Sequence, residues 1–214
     1  MQQITFHQVL PQVFSQCDDL SSDVWKTEVC LEKGQTYLIE AMSGMGKSTF
    51  CSYLLGYRND YTGQICFDTD DIRDYRVSQW VDIRQRQIGM LFQEMRLFPE
   101  LTAWENVEIK NRLTRQVDRQ TIEQWFERLG ISEKLHVKAG ILSQGQQQRV
   151  AFIRALVQPF DFLIVDEPIS HLDDVNAQLM AELVTQMKEQ TQCGVMVTSI
   201  GKHLPLAYDK TLKL

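Results

Sequence analysis

Three short segments hold residue types suited to phosphate chemistry. In the first, Met42-Ser43-Gly44-Met45-Gly46-Lys47-Ser48-Thr49 follows an apolar run, Tyr37 to Ala41, and leads into an apolar helical start at Phe50-Cys51. Glycines at this spacing let successive backbone N–H groups converge on phosphate oxygens, and a helix beginning near Lys47 adds its positive dipole end. In the pattern G-x-x-x-x-G-K-[ST], Ser43, Gly44, Met45 and Gly46 line the loop and Lys47 meets the β- and γ-phosphates. Ser48 offers a hydroxyl to Mg²⁺, and Thr49 is placed to contact the α-phosphate. Ala41 stands where the pattern has its first Gly. It fits if its φ is negative, whereas a positive φ would strain it by about 1 kcal/mol.

The second segment, Phe162-Leu163-Ile164-Val165-Asp166-Glu167, puts two acids at the C-terminal end of an apolar strand, where open α/β sheets bind ligands. Asp166 is suited to hold Mg²⁺ through its water shell. Glu167, one residue further out, is suited to orient and polarise an attacking water. In the third, Leu142-Ser143-Gln144-Gly145-Gln146-Gln147-Gln148-Arg149, Ser143 is placed to N-cap a helix. Gln146 lies at capping-box spacing, and Gly145 bares backbone N–H groups, which makes a second anion-seeking helix end.

Positioning these residues requires strands that end in loops on one side. Tyr37 to Ala41, Phe162 to Val165 and Val195 to Thr198 read as buried parallel strands, and Gln87 to Gln93 as another. Gly63 to Asp68 alternates as a half-exposed antiparallel strand does. Between them lies a helical stretch. Thr102 and Glu105 have capping-box spacing, as do Thr121 and Gln124; Ile122, Trp125, Phe126 and Leu129 then share one face before Gly130 stops the helix. The pattern predicts an α/β fold built on a P-loop NTPase core with a mostly parallel sheet, an N-terminal antiparallel β subdomain and a helical insert. All of it falls in one domain over residues 1–214, with the helical subdomain at about 98–142.

Composition narrows the class. The chain has 214 residues, 43% hydrophobic, enough to bury a substantial core. A net charge of −6 argues against nucleic acid as the main partner. The five cysteines, Cys17, Cys30, Cys51, Cys66 and Cys193, form no C-x-x-C pair, which fits a reducing cytoplasm. Met1 to Leu10 is polar and unlike a leader peptide, and no stretch approaches the ~18 apolar residues of a membrane span, so attachment to a membrane is expected through another chain.

The third segment, followed by Val150-Ala151-Phe152-Ile153-Arg154-Ala155-Leu156, resembles the signature motif of ABC ATPases, with Gln144 where Gly is usual. The resemblance runs from about Phe6 to Ser199. It implies an ATP- and Mg²⁺-dependent ATPase in which Ser143, Gly145 and Gln146 face ATP on a second copy of the chain, and in which integral membrane permease subunits hold the dimer at the inner face of the membrane. Gln93 resembles the Q-loop glutamine, which touches Mg²⁺ and links the site to the helical insert and membrane partner, and Ser170-His171-Leu172-Asp173 resembles the D-loop. Arg86 to Val107 looks most like the lipoprotein-release, macrolide-export and cell-division branch. The resemblance implies that adenine stacks on an aromatic near the N-terminus, Phe14 or alternatively Phe6, although a phenylalanine close to strands is more often a core residue. Where the family places a γ-phosphate-sensing histidine this chain has Ser199, with His203 four residues on as a substitute if its loop folds back. A serine hydroxyl carries no charge, so the resemblance implies slow or partner-dependent hydrolysis, or a dimerisation switch with little turnover.

Overall fold

The computed structural model describes residues 1–17, 19–42, 44–169 and 173–214. Nine strands are described: β1 (Gln3–Pro11), β2 (Glu28–Glu32), β3 (Thr36–Glu40), β4 (Tyr61–Phe67), β5 (Asp70–Asp71), β6 (Ile88–Leu91), β7 (Phe162–Asp166), β8 (Gly194–Ser199) and β9 (Lys210–Lys213). They alternate with helices α1 (Lys47–Leu54), α2 (Val77–Arg86), α3 (Ala103–Asn111), α4 (Arg119–Arg128), α5 (Gln144–Leu156) and α6 (Asp174–Thr191).

The strands divide into two sheets. An antiparallel sheet has the order β2-β1-β4-β5, and a parallel one the order β6-β7-β8-β3-β9. The parallel strands are apolar on both faces because both faces are covered. Along β7 the side chains alternate between two cores. Phe162 and Ile164 pack with residues of β1 and α1, whereas Leu163 and Val165 pack with residues of α4, α5 and α6. This sandwiching aligns the C-terminal ends of β7 and β8, so that Asp166 pairs in register with Thr198.

The mixed α/β architecture agrees with the expectation, and the helical stretch differs from it in one boundary. Thr102 caps α3 with a full capping box to Glu105. α4, however, starts before Thr121: Asp118 is its N-cap, its carboxylate accepting from the Thr121 N–H at 2.8 Å. An ionised acid at a helix start also gains from the dipole, which favours Asp118 over a hydroxyl three residues on. Ile122, Trp125, Phe126 and Leu129 are buried, and Gly130 ends the segment at φ 64°. Asp118→Ala is expected to cost about 1 kcal/mol in urea unfolding and Thr121→Ala only a few tenths; equal losses would put the cap at Thr121 after all.

Candidate functional site

The loop between β3 and α1 turns on two glycines in the left-handed region, Gly44 at φ 83° and Gly46 at φ 97°. Gly46 occupies the N-cap position of α1, where it has no side chain to cap with. α3, α4, α5 and α6 each spend a capping side chain (Thr102, Asp118, Ser143 and Asp173) on their first turn. In α1 the N–H groups of Gly46, Lys47, Ser48 and Thr49 have no acceptor among the described residues. Four convergent donors at a helix start make an anion cradle. Ala41 is not among the residues with positive φ, and its N–H donates to the Ser199 carbonyl at 3.1 Å, so the missing first glycine costs no backbone strain. Ser43 lies outside the described residues, Gly44 and Ser48 are exposed, and Met45 is half-buried.

Beside the cradle, β7 delivers its two acids. Asp166 is buried and accepts a hydrogen bond from the Thr198 hydroxyl. Burial pushes its carboxyl pKa up; the Thr198 bond and the Lys47 ammonium oppose that shift, and Glu167 and Glu94 add to it. Glu167 sits in the left-handed region at φ 45°, with its N–H donating to the Thr198 carbonyl at 3.2 Å. Its carboxylate is held from both sides. Lys47 Nζ lies 3.2 Å from Oε1, and Gln93 Nε2 donates to Oε2 at 3.0 Å. A non-glycine residue in that conformation, fixed by backbone and side-chain bonds at a strand end, is where strain is found at working sites.

These contacts bring together Lys47, Gln93, Asp166 and Glu167. Ser48, a hydroxyl, and Asp166, a carboxylate, are hard oxygen donors of the kind Mg²⁺ takes, and Gln93 keeps a carbonyl oxygen besides the amide group it gives to Glu167. The donor chemistry therefore fits that ion.

Ser143 caps α5 as expected: its hydroxyl accepts from the Gln146 N–H at 3.3 Å, and Gln146 Oε1 accepts from the Ser143 N–H at 3.0 Å. Ser143 and Gln144 are exposed and Gly145 half-buried, so this second helix end faces outward, away from the core. Gln144 is helical, a position that does not call for glycine. Of the D-loop stretch, Ser170, His171 and Leu172 lie outside the described residues, and Asp173 caps α6 through the Asn176 N–H at 2.8 Å.

Both aromatic candidates are buried. Phe6 is fully enclosed, stacked on Phe50 with ring centroids 5.4 Å apart, and belongs to the core. Phe14 is 8% exposed, and a Cβ on Gly46 would meet its ring at 3.0 Å, so it forms a wall of the cradle. Ser199 is buried with both bonding directions of its hydroxyl spent on its own loop: it donates to the Lys202 carbonyl at 2.7 Å and accepts from the Gly201 N–H at 2.9 Å. The His203 ring packs edge-on against Tyr208 and hydrogen-bonds the adjacent Leu204 carbonyl.

Two contributors escape a reading of motifs. Thr198 orients Asp166 and anchors Glu167, a role set by strand order. Arg149 ties the second helix end to α6, donating to the Gly145 carbonyl at 3.0 Å, the Leu129 carbonyl at 2.8 Å and Asn176 Oδ1 at 2.9 Å. Arg149 stands one turn after Gly145 and Thr198 is the polar end of an apolar strand, but which partners they meet is set by packing between distant segments.

Comparison with known proteins agrees with this geometry. A family model described as ABC transporter matches residues 25–170. An uncharacterised ABC transporter ATP-binding protein of Mycobacterium tuberculosis is 32% identical over 184 residues, covering 85% of this chain and 56% of the relative. The chain thus spans little more than half the length of the first curated relatives it matches. The ABC transporter ATP-binding protein YtrE of Bacillus subtilis is 31% identical over 191 residues, covering 85% of this chain and 83% of YtrE. Among solved structures, the dimeric cassette MJ0796, a bacterial ABC transporter cassette, superimposes with a TM-score of 0.77 at 25% identity over 91% of this chain and 87% of that one. Its post-hydrolysis dimer bound to ADP and Pi gives 0.75 at 25% identity over 92% and 87%. No helix among the described residues is long and apolar enough to cross a membrane. The chain belongs to the ABC transporter family, whose ATP-binding domain it carries.

Proposed function

We propose that this chain hydrolyses ATP with Mg²⁺ as one half of a dimer, driving integral membrane permease subunits from the cytoplasmic face of the membrane. The observation that carries this reading is the Glu167 carboxylate gripped by Lys47 and Gln93 beneath an uncapped helix end. Residues 1–214 act as one domain in which about 98–142 form the helical subdomain. Lys47 and the open N–H groups of α1 bind the phosphates, Ser48, Asp166 and Gln93 hold Mg²⁺, and Glu167 orients the attacking water and takes its proton. When bound, Mg²⁺ neutralises charge that develops on the transferring phosphate. An ATP that draws Lys47 to its phosphates frees Glu167 Oε1 from its ion pair, so substrate binding and release of the base are coupled. Ser143 and Gly145, outward-facing on α5, contact the nucleotide of the second copy; the exposed helix end supports this reading, and the similar MJ0796 cassette is itself dimeric.

A cavity of about 440 Å³ supports the membrane partner. It adjoins the Gln93 loop through Phe92 and Arg96, and its walls include Arg84, Lys110 and Arg154 with no aspartate or glutamate. Burial and the neighbouring Arg154 push the Lys110 ammonium pKa down. Apolar walls carrying cations, with no carboxylate in the lining, suit an amphipathic partner segment carrying carboxylates. Lys110→Glu is expected to lower stimulation by the permease about tenfold or more, measured as ATP turnover with and without reconstituted permease; undiminished stimulation would remove the groove from the reading.

A second reading, an ATP-dependent dimerisation switch with little turnover, is favoured by the engaged hydroxyl of Ser199. Steady-state phosphate release separates the two. Ser199→His is expected to raise turnover about tenfold, whereas fast native turnover unchanged by the histidine would overturn slow hydrolysis.

A further inference from the structure

Past the end of α1 the chain doubles back. Gly56 turns it at φ 65°, against the Trp80 ring, and Arg58 then reaches the first turn of the helix it has just left. Arg58 Nη1 donates to Thr49 Oγ1 at 3.1 Å, while Nε and Nη2 grip Asp60 at 2.9 and 2.5 Å. The loop carrying Asp60 is fixed in turn. Its carbonyl accepts from the Tyr53 hydroxyl at 2.9 Å and from the Gln12 N–H at 2.9 Å, and the Arg58 guanidinium lies over the Tyr53 ring at 5.8 Å. The two ionised partners reinforce one another: Asp60 raises the Arg58 pKa, and Arg58 lowers that of Asp60. A guanidinium gripped on one edge by a carboxylate presents its remaining N–H in a defined direction.

That direction matters for Thr49. Its hydroxyl oxygen accepts from Arg58, which leaves the hydroxyl proton to be donated, and no acceptor for it is found among the described residues. The Thr49 N–H also has no acceptor among them. A hydroxyl that accepts from a cation is a stronger donor to the next acceptor in the chain. Thr49 is the third residue of α1, behind Lys47 and Ser48, and it is buried, 7% exposed, on the side of Tyr53 and Asp60.

We propose that Arg58 is a positioning residue for the nucleotide's inner phosphate, acting through the Thr49 hydroxyl. This rests on the nucleotide site described above and extends it. The inner phosphate is common to ADP and ATP, so Arg58 sets affinity for both equally. It acts on the inner end of the cradle, through the third residue of α1, behind Lys47 and Ser48.

The test is calorimetric titration of the whole chain with MgADP and with MgATP, using wild type, Arg58→Ala, Arg58→Lys, Thr49→Val and the Arg58→Ala/Thr49→Val double variant. Arg58→Ala is expected to weaken both nucleotides by the same factor, about three- to tenfold for an exposed charged donor, with Arg58→Lys between it and wild type. The double variant should bind no more weakly than the poorer single one, because the two act in series. Native affinity in Arg58→Ala overturns the proposal, as does a loss confined to ATP or a double variant whose losses multiply. If wild type binds neither nucleotide, the nucleotide-site reading itself falls and takes this proposal with it.

Discussion

Glu167→Gln is expected to lower ATP turnover by about 10²–10⁴-fold, the loss that follows removal of a general base, while ATP stays bound. The side chain is nearly isosteric and its backbone is independently fixed, because the Glu167 N–H is anchored to Thr198 and φ is 45°. What changes is charge and basicity. In the native chain the carboxylate competes with phosphate for Lys47, 3.2 Å away, and a neutral amide releases that ammonium. ATP affinity of the variant should therefore equal or exceed that of wild type even as phosphate release collapses. Turnover within threefold of wild type would show that the proton goes elsewhere.

Lys47→Ala should act on the other step. Lys47 is 7% exposed and pairs with Glu167, so its removal strips the cradle of its ammonium and leaves a carboxylate facing the incoming phosphates. Hydrogen bonds between charged groups contribute about 1.5–3 kcal/mol each, and the new repulsion adds to the loss. ATP affinity is expected to fall by roughly 100-fold, read by titration with a fluorescent nucleotide. A dissociation constant within threefold of wild type would mean that the N–H groups of α1 do the binding alone.

Much of this site was legible in the chain because it is built from local features. A strand followed by Gly44, Gly46 and Lys47, an apolar run ending in Asp166-Glu167, and a serine three residues before Gln146 each declare their own geometry. The capping box of α5 is present as its spacing implied. What was hidden depends on which distant segments become neighbours. Thr198 matters because β8 lies beside β7 in register, an order that no residue in either strand encodes by itself. Arg58 belongs to no motif, and its partner Thr49 is set by the way the chain turns back on α1. The N-cap of α4 was misplaced for a different reason: Asp118 and Thr121 are both competent caps three residues apart, and the dipole's preference for charge decides between them. Ser199 was visible as a departure, but its two loop hydrogen bonds were not, and they turn a candidate phosphate donor into a turn-forming residue.

In the proposed dimer each nucleotide site is divided between two copies, with the cradle at Lys47 on one and the α5 helix end at Ser143 and Gly145 on the other. In a Glu167→Gln background, subunits carrying Lys47→Ala and subunits carrying Gly145→Asp are mixed with MgATP, and retained ATP is counted per dimer after gel filtration. Each subunit alone should remain monomeric. Mixed, they should form dimers holding one ATP each, because only the heterodimer joins one intact cradle to one intact helix end. A mixture that stays monomeric, or either variant dimerising with ATP on its own, would contradict the shared site.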